Sequence, residues 1–191
     1  WLNQQSLWSN PGYKDFNGYL ASFNANQRRN IKRERKAVAA AGIVITPLNG
    51  DAITLPLLQR MHRFYEDHCR RWGMWGSKYL TEDFFILAAQ QLSEYLVLFS
   101  AHPQEADPYK PLAMSLCVRE GNSLWGRYWG SDLELENLHF EVCYYAPIAW
   151  AIERGIRQFD PGAGGSHKRR RGFVARPHAE GVSLNESSES L

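Results

Sequence analysis

The stretch from His139 to Phe173 constrains the fold more than any other part of the sequence. Apolar residues recur with helical spacing from Phe140 to Ile152, which predicts a helix with one buried face. Ile156 and Phe159 then enter a short strand, which ends at the glycine-dense turn 161–165. In open α/β sheets, ligands bind where a parallel strand ends in such a turn. The pattern fits such a ligand site and equally fits a tight turn before a solvated basic helix.

The glycine-dense turn is followed directly by a cluster of basic residues. Gly162, Gly164 and Gly165 can adopt positive φ angles and allow the backbone to approach a ligand closely. The basic side chains that follow directly are His167, Lys168, Arg169, Arg170 and Arg171.

The composition is that of one globular domain with flanks. The 191 residues are 44% hydrophobic, which is enough to fill a core. A net charge of only +2 argues against binding of DNA or another polyanion by overall charge, but clustered cations can still bind anions locally.

The sequence gives further expectations about the setting of the protein. No apolar run approaches the length of a membrane span, and no signal peptide is present at the start. Cys69, Cys117 and Cys143 lie far apart in apolar segments, which favours reduced core thiols in a cytoplasmic protein. The chain begins with Trp1 rather than Met, so we expect a fragment of a longer protein. Its oligomeric state stays open.

A second cluster of cations lies on a helix predicted from Phe16 to Ala40, with Asp15 as its N-cap and a weak point at 24–26. Their spacing places them in one broad stripe that is either a solvated face or an anion-binding surface. The candidate anion-binding residues are Arg28, Arg29, Lys32, Arg33 and Lys36.

The rest of the chain alternates between strand and helix signals. The predicted elements are a strand at 43–46, helices at 54–72 and 81–92, a strand at 95–99, and a hairpin of strands 112–118 and 123–129. We divide the chain into an aromatic lead-in and basic helix (1–40), an α/β domain (41–175) and a disordered tail (176–191).

The common sequence signatures of cofactor and metal sites are missing. The sequence has no phosphate-binding P-loop, no complete GxGxxG and no GxSxG. His62 and His68 share a predicted helix, but their spacing of six residues places them on different faces. We therefore predict no metal site.

Polar side chains on two neighbouring elements remain as candidates. Arg127 and Tyr128 lie on the second hairpin strand, and Glu141, Tyr144 and Tyr145 lie in the first turns of the following helix. Glu141 can stabilise the helix dipole or pair with Arg127. A carboxylate in a cleft can also be the general base for an amine nucleophile.

Five motifs together resemble a known family. They are, in chain order, WSNPGYKDF, LASFNANQRRNIKRERKAVAAAG, GRYWG, LHFEVCYY and GAGGSHKRRRGF. The resemblance, which spans roughly Trp8 to Phe173, is to a bacterial family of peptidoglycan biosynthesis/recognition proteins that are N-acetyltransferase-like. This family lies within the GNAT acyltransferase superfamily and is related to the Fem-type aminoacyl transferases. In the family the last motif carries Gln and Glu where this sequence has Gly164 and Ser166.

The resemblance implies a fold and an activity. The fold is α/β (α+β), with a GNAT-like mixed, mostly antiparallel sheet flanked by helices, as the second of two such domains. The activity is acyl or aminoacyl transfer to an amine of a peptidoglycan-precursor-like or peptide substrate, without a metal. Acyl-CoA and aminoacyl-tRNA are the candidate donors, although the acyl-CoA signature is absent after the second hairpin strand. The alternative is a non-catalytic module that binds a nucleotide-linked precursor or tRNA through the basic clusters.

The resemblance also assigns roles to the matched polar positions. It implies Glu141, His167 and Lys168 as catalytic residues, with Lys168 outside the core and Arg169 and Arg170 as diffuse charge. The implied substrate-binding residues are Arg127, Tyr128, Tyr144, Tyr145, Gly164 and Gly165. We expect Arg127, Glu141 and Lys168 to line one cleft at the carboxyl ends of the strands.

Overall fold

The protein is described by a computed structural model for residues 5–71, 78–162 and 166–176. The strands are β1 (Gln5–Ser9), β2 (Ile43–Asn49), β3 (Leu96–Pro103), β4 (Ala113–Glu120), β5 (Ser123–Ser131), β6 (Gln158–Asp160) and β7 (Val174–Arg176). They form one sheet in the order β2-β3-β4-β5-β6-β1-β7. All neighbouring strands are antiparallel except β5 and β6, which are parallel.

Helices cover both faces of this sheet. They are α1 (Phe16–Ala21), α2 (Ala25–Ala40), α3 (Leu55–Arg71), α4 (Glu82–Gln91), α5 (Leu138–Phe140) and α6 (Ala146–Glu153). A π-helical turn, Glu141–Tyr145, joins α5 to α6, and a 3-10 helix spans Ser166–Arg171. Side chains of α1, α2 and α6 pack into one core, and those of α3 and α4 pack into another. The predicted fold class is confirmed.

The elements from β2 to β6 follow the predicted order, with bounds that differ by a few residues. The weak point predicted in the first helix is also confirmed, because the helix is interrupted between the end of α1 at Ala21 and the start of α2 at Ala25. The side chain of Asn24 accepts a hydrogen bond from the backbone N–H of Gln27 at 2.9 Å and so caps α2.

The two strands that complete the sheet were not predicted. β1 comes from the aromatic lead-in and lies between β6 and β7, where Trp8 is opposite Phe159 and fully buried. Both strands are short, and each pairs with residues about 150 to 170 positions away, so no local pattern reveals them. The predicted tail lies outside the described residues, apart from Arg176.

Pro147 explains the π-helical turn that precedes it. Proline has no N–H, so it cannot donate to the carbonyl four residues earlier, and the helix must change its hydrogen bonding there. The wider turn sends its side chains in different directions. Glu141 faces α2, Tyr144 faces the 3-10 helix, and Tyr145 contacts both of these helices. Such π turns are frequent at functional sites.

Candidate active site

The parallel strands β5 and β6 pair only over a short distance and then separate. Their pairing runs from Ser123 opposite Gln158 to Trp125 opposite Asp160. Beyond it β5 continues to Ser131, whereas β6 ends at the turn of Pro161 and Gly162. This separation opens a wedge at the carboxyl ends of the two strands, where open sheets bind ligands.

A β-bulge in β5 lies beside this opening. Leu116 of β4 is opposite Tyr128, but the next residue, Cys117, is opposite Gly126. Arg127 therefore has no Cα partner in β4, and its side chain is exposed. Bulges redirect a strand and are common beside active sites.

Two close approaches of the backbone form the narrow end of the wedge. A Cβ atom on Gly126 would lie 3.3 Å from the Cα of Pro161. Gly162 has a φ of +88°, and its Cβ would lie 3.6 Å from the carbonyl oxygen of Gly126. A larger residue at position 126 would press on the turn that ends β6, so the wedge depends on this glycine.

The wedge encloses about 80 Å³, which suits a small group rather than a whole substrate. It is lined by residues from both hairpin strands, from the helix and from the turn. These are Ser115, Leu116, Cys117, Gly126, Arg127, Tyr128, Trp129, His139, Cys143, Tyr144 and Pro161. Of the predicted site residues, Arg127, Tyr128 and Tyr144 thus come together here.

His167 lies behind Tyr144 and is joined to it. The Tyr144 hydroxyl and the His167 Nε2 are 2.9 Å apart. Burial, together with the cations Arg171 and Lys168, lowers the pKa of His167, so its imidazole is neutral at neutral pH. Burial raises the pKa of Tyr144, so its phenol keeps its proton. With the His167 proton on Nδ1, Nε2 accepts a hydrogen bond from Tyr144.

His139 is a lining residue that the sequence analysis missed. Its ring packs edge-on against Trp129, Tyr144 and His167. Burial and the nearby His167 lower its pKa to about 4, so it is a neutral polar group in the wedge. The sequence could have suggested His139 as a site residue only through its position just before Phe140, at the start of the predicted helix. A single histidine at such a position does not by itself indicate a role.

The cysteines near the wedge are poor nucleophiles. Burial raises the pKa of Cys143 well above its ordinary value and that of Cys117 to about 12. A thiol reacts as the thiolate, so both groups are inert at neutral pH.

Lys168 is buried, with 3% of its surface exposed, and the expectation that it lies outside the core is wrong. Its Nζ donates a hydrogen bond to the carbonyl oxygen of Gly162 at 2.6 Å. Burial lowers its pKa, against the opposing effect of Asp160. Lys168 thus holds the turn that closes the wedge, and Arg169 and Arg170 are exposed beside it.

Arg171 connects the 3-10 helix to α2 and to the π-helical turn. Its Nη2 lies 2.8 Å from the Glu34 carboxylate, and its Nε donates to the Tyr145 hydroxyl at 2.8 Å. Its Nη1 donates to the carbonyl oxygen of His167 at 2.9 Å. Tyr145 also donates to Glu34, and burial with this hydrogen bond raises the pKa of Tyr145. Tyr145 therefore belongs to a buried network rather than to the wedge lining.

Glu141 does not share the cleft of Arg127. Both of its carboxylate oxygens accept hydrogen bonds from Arg35 of α2, the shortest of them 2.8 Å long. The expected cleft of Arg127, Glu141 and Lys168 is therefore corrected: Glu141 lines a groove beside α2, and Arg127 lines the wedge. A pair of Glu141 with Arg127 is equally wrong, because Arg35 occupies the carboxylate.

The cationic stripe of α2 lies on the surface. Arg29, Lys32, Arg33 and Lys36 are exposed, and Arg28 is half-buried. None of these five forms an ion pair with a residue that the structure describes. Whether the stripe binds an anion stays a prediction.

Several predictions concern absences or residues without a description. Gly164 and Gly165 lie outside the described residues. Within residues 5–71, 78–162 and 166–176, no group of three or more His, Cys, Asp or Glu side chains is arranged to hold a metal ion. In the same ranges, no helix has the length and apolar character needed to cross a membrane.

Solved structures share the fold at low sequence identity. L-PGS of Bacillus licheniformis matches with a TM-score of 0.57 and 8% identity, covering 94% of this chain and 61% of that chain. The C-terminal domain of a protein assigned as a lysylphosphatidylglycerol synthetase from Agrobacterium fabrum matches with a TM-score of 0.56 and 9% identity, covering 85% and 46%. A conserved protein of unknown function from Bacteroides thetaiotaomicron gives 0.53 and 12%, covering 88% and 54%. The chain thus spans about half the length of these proteins.

Sequence comparison gives one clear assignment. No curated protein matches the chain significantly. The model of the FemAB-like family, described as peptidoglycan biosynthesis/recognition, matches residues 1–187. The chain belongs to the FemAB-like family of peptidoglycan biosynthesis and recognition proteins.

Proposed function

We propose that this domain transfers an aminoacyl group to a primary amine at the wedge between β5 and β6, in the manner of a GNAT-type acyltransferase. The observation that carries this proposal is Tyr144, which lines the wedge and whose hydroxyl is 2.9 Å from the neutral imidazole of His167. The neutral imidazole of His167 can accept a proton from the Tyr144 hydroxyl, which in turn can accept one from an amine in the wedge. This pair can therefore act as the general base for an attacking amine.

The proposed reaction is attack of the amine nitrogen on the ester carbonyl of an aminoacyl donor. A C–N bond forms and the C–O bond to the donor breaks. The amine proton passes to the Tyr144 oxygen as the Tyr144 proton moves to Nε2 of His167. The same pair then returns a proton to the leaving oxygen, so the group ends the cycle unchanged.

The remaining predicted residues have supporting roles in this proposal. Arg127 and Tyr128, beside the bulge, contact the substrate at the mouth of the wedge. Lys168 fixes the turn of Gly162, and Tyr145 fixes Arg171 under the carbonyl group of His167. Glu141, which the sequence suggested as a base, instead joins the π-helical turn to α2 through Arg35.

The donor and the acceptor follow from the family and from charge. Exposed cations on α2 favour a donor with phosphates, which supports aminoacyl-tRNA over an uncharged donor. Such a donor is cytoplasmic. The family description supports a peptidoglycan stem peptide as the acceptor. One structural neighbour is named for lysylphosphatidylglycerol synthesis, which supports an amino acid ester as the donor.

A transfer assay tests the proposal. We expect label from tRNA charged with a mixture of radioactive amino acids to become attached to a stem peptide that carries a free side-chain amine. The matched control is the same peptide with that amine acetylated, which should stay unlabelled. Transfer from acetyl-CoA but not from aminoacyl-tRNA would show that the proposed donor is wrong. The absence of transfer from both donors would contradict the proposed reaction.

A second candidate is a non-catalytic module that binds an anionic ligand. The stripe of α2 favours it, because its cations are mostly exposed and form no ion pair within the described part of the chain. Each phosphate that such cations neutralise adds about 0.7 to 0.9 to the slope of log affinity against log salt. We expect tRNA binding with a steep slope, and Arg29→Gln/Arg33→Gln should lower that slope by about 1 to 2. The matched control is Lys110→Gln/Arg157→Gln, which removes two exposed cations elsewhere. Filter binding at several salt concentrations measures this, and a flat salt dependence would show a merely solvated stripe.

A further inference from the structure

A groove separate from the wedge lies between α2 and α6. Its floor is the edge strand β2, and its volume is about 660 Å³. The two helices are joined at one end by the ion pair of Arg35 and Glu141. The walls are mostly apolar and include Leu20, Val38, Ile43, Ile45, Phe99 and Ala149. No residue lines both the groove and the wedge.

One rim of the groove carries two cations that form no ion pair with the described residues. Lys32 and Lys36 lie one turn apart on α2, line the groove and are exposed. Neither forms an ion pair with any residue in the described part of the chain. Glu153 also lines the groove, and its carboxylate lies 3.5 Å from Arg154. The rim can therefore hold an anionic group beside an apolar trough.

The opposite wall contains a buried donor for which the described residues supply no acceptor. Trp150 is 2% exposed, and among the described residues its Nε1 has no hydrogen-bond partner. The ring is fixed by Phe99 edge-on and by the Arg154 guanidinium 4.5 Å from its centre. An unsatisfied buried donor costs about 1 to 3 kcal/mol. This Nε1 is itself inaccessible, so a ligand in the groove contacts the ring of Trp150 rather than its N–H group.

We propose that the groove binds a single anionic lipid with one acyl chain. The chain lies along the apolar walls, the phosphate lies at Lys32 and Lys36, and the ester carbonyl lies beside the ring of Trp150. The volume lies within the range of about 300 to 1,000 Å³ that is usual for small-ligand sites. This site is independent of the wedge, so it does not rest on the proposed transfer reaction.

Binding of 1-palmitoyl lysophosphatidic acid, below the concentration at which it forms micelles, tests the charged rim. Isothermal titration calorimetry should show binding that Lys32→Glu/Lys36→Glu weakens at least about 10-fold. The matched control is Arg29→Glu/Arg33→Glu, which makes the same charge change on α2 but away from the groove, and it should change the affinity less than about 3-fold. Equal losses from the two pairs would show diffuse attraction and overturn the proposal. Equal affinity for the zwitterionic lysophosphatidylcholine would also overturn it.

Two further measurements locate the chain and the carbonyl. Ala149→Phe places a ring in the groove, so a folded variant, checked by thermal unfolding, should lose binding of the lipid. The indole N–H resonance of Trp150, identified by its absence in Trp150→Phe, should shift when the lipid is added, because the ring lines the groove. Unchanged binding by Ala149→Phe, or an unmoved Trp150 resonance, would overturn the proposed pose. Inorganic phosphate that competed as well as the lipid would do the same.

Discussion

Replacing Tyr144 with phenylalanine should lower the rate of aminoacyl transfer by about 100-fold or more. Tyr144 lines the wedge, and the change removes only its hydroxyl, which is 2.9 Å from the His167 Nε2. His167→Ala should produce a similar loss, because both changes break the same proton path. The double variant should be scarcely slower than either single variant, since residues that act as one unit are strongly non-additive. The transfer assay above measures all three.

The pH profile and a matched variant separate this role from a structural one. A base must be unprotonated, so activity should fall as the pH drops through the pKa of His167, which lies below its ordinary value. Tyr13→Phe is the control, because it makes the same chemical change in the aromatic cluster of Trp8 and Tyr19. It should keep the parent rate. Independent, multiplying losses in the double variant would contradict the proposed relay.

Replacing Glu34 with alanine should lower the free energy of unfolding by about 3 to 5 kcal/mol. The side chain of Arg171 is only 5% exposed, and Glu34 is its carboxylate partner at 2.8 Å. Without Glu34 the guanidinium is a buried charge that lacks its counter-ion, and the Tyr145 hydroxyl loses an acceptor. Urea unfolding followed by circular dichroism gives the change in free energy.

An exposed ion pair in the same chain supplies the control. Asp67 lies 2.7 Å from Arg70 on the surface of α3, and Asp67→Ala should cost less than about 1 kcal/mol because water screens that pair. Replacing both partners, as in Glu34→Leu/Arg171→Met, should recover much of the stability lost in Glu34→Ala. A loss below about 1 kcal/mol in Glu34→Ala would show that Arg171 finds another partner or reaches water.

The short-range organisation of this protein could be predicted from its sequence. Apolar periodicity gave α2 to α4, α6 and the hairpin of β4 and β5, because each depends on neighbours in the chain. Asn24 marked the break before α2, since a short polar side chain caps a helix end locally. Five ordered motifs indicated the peptidoglycan biosynthesis/recognition family, which the family model confirms, whereas its place in the GNAT superfamily stays a prediction.

The tertiary structure decided which side chains meet. Glu141 and Tyr144 are three residues apart, yet the π-helical turn sends the first to Arg35 and the second to His167. The sequence predicted Lys168 to be an accessible cation, but in the fold it is buried and donates a hydrogen bond to the carbonyl oxygen of Gly162. The strands β1 and β7, and the pair of Glu34 with Arg171, join residues more than 130 positions apart. Such contacts form only when the whole chain packs, because neither partner belongs to a local sequence pattern that would predict the contact.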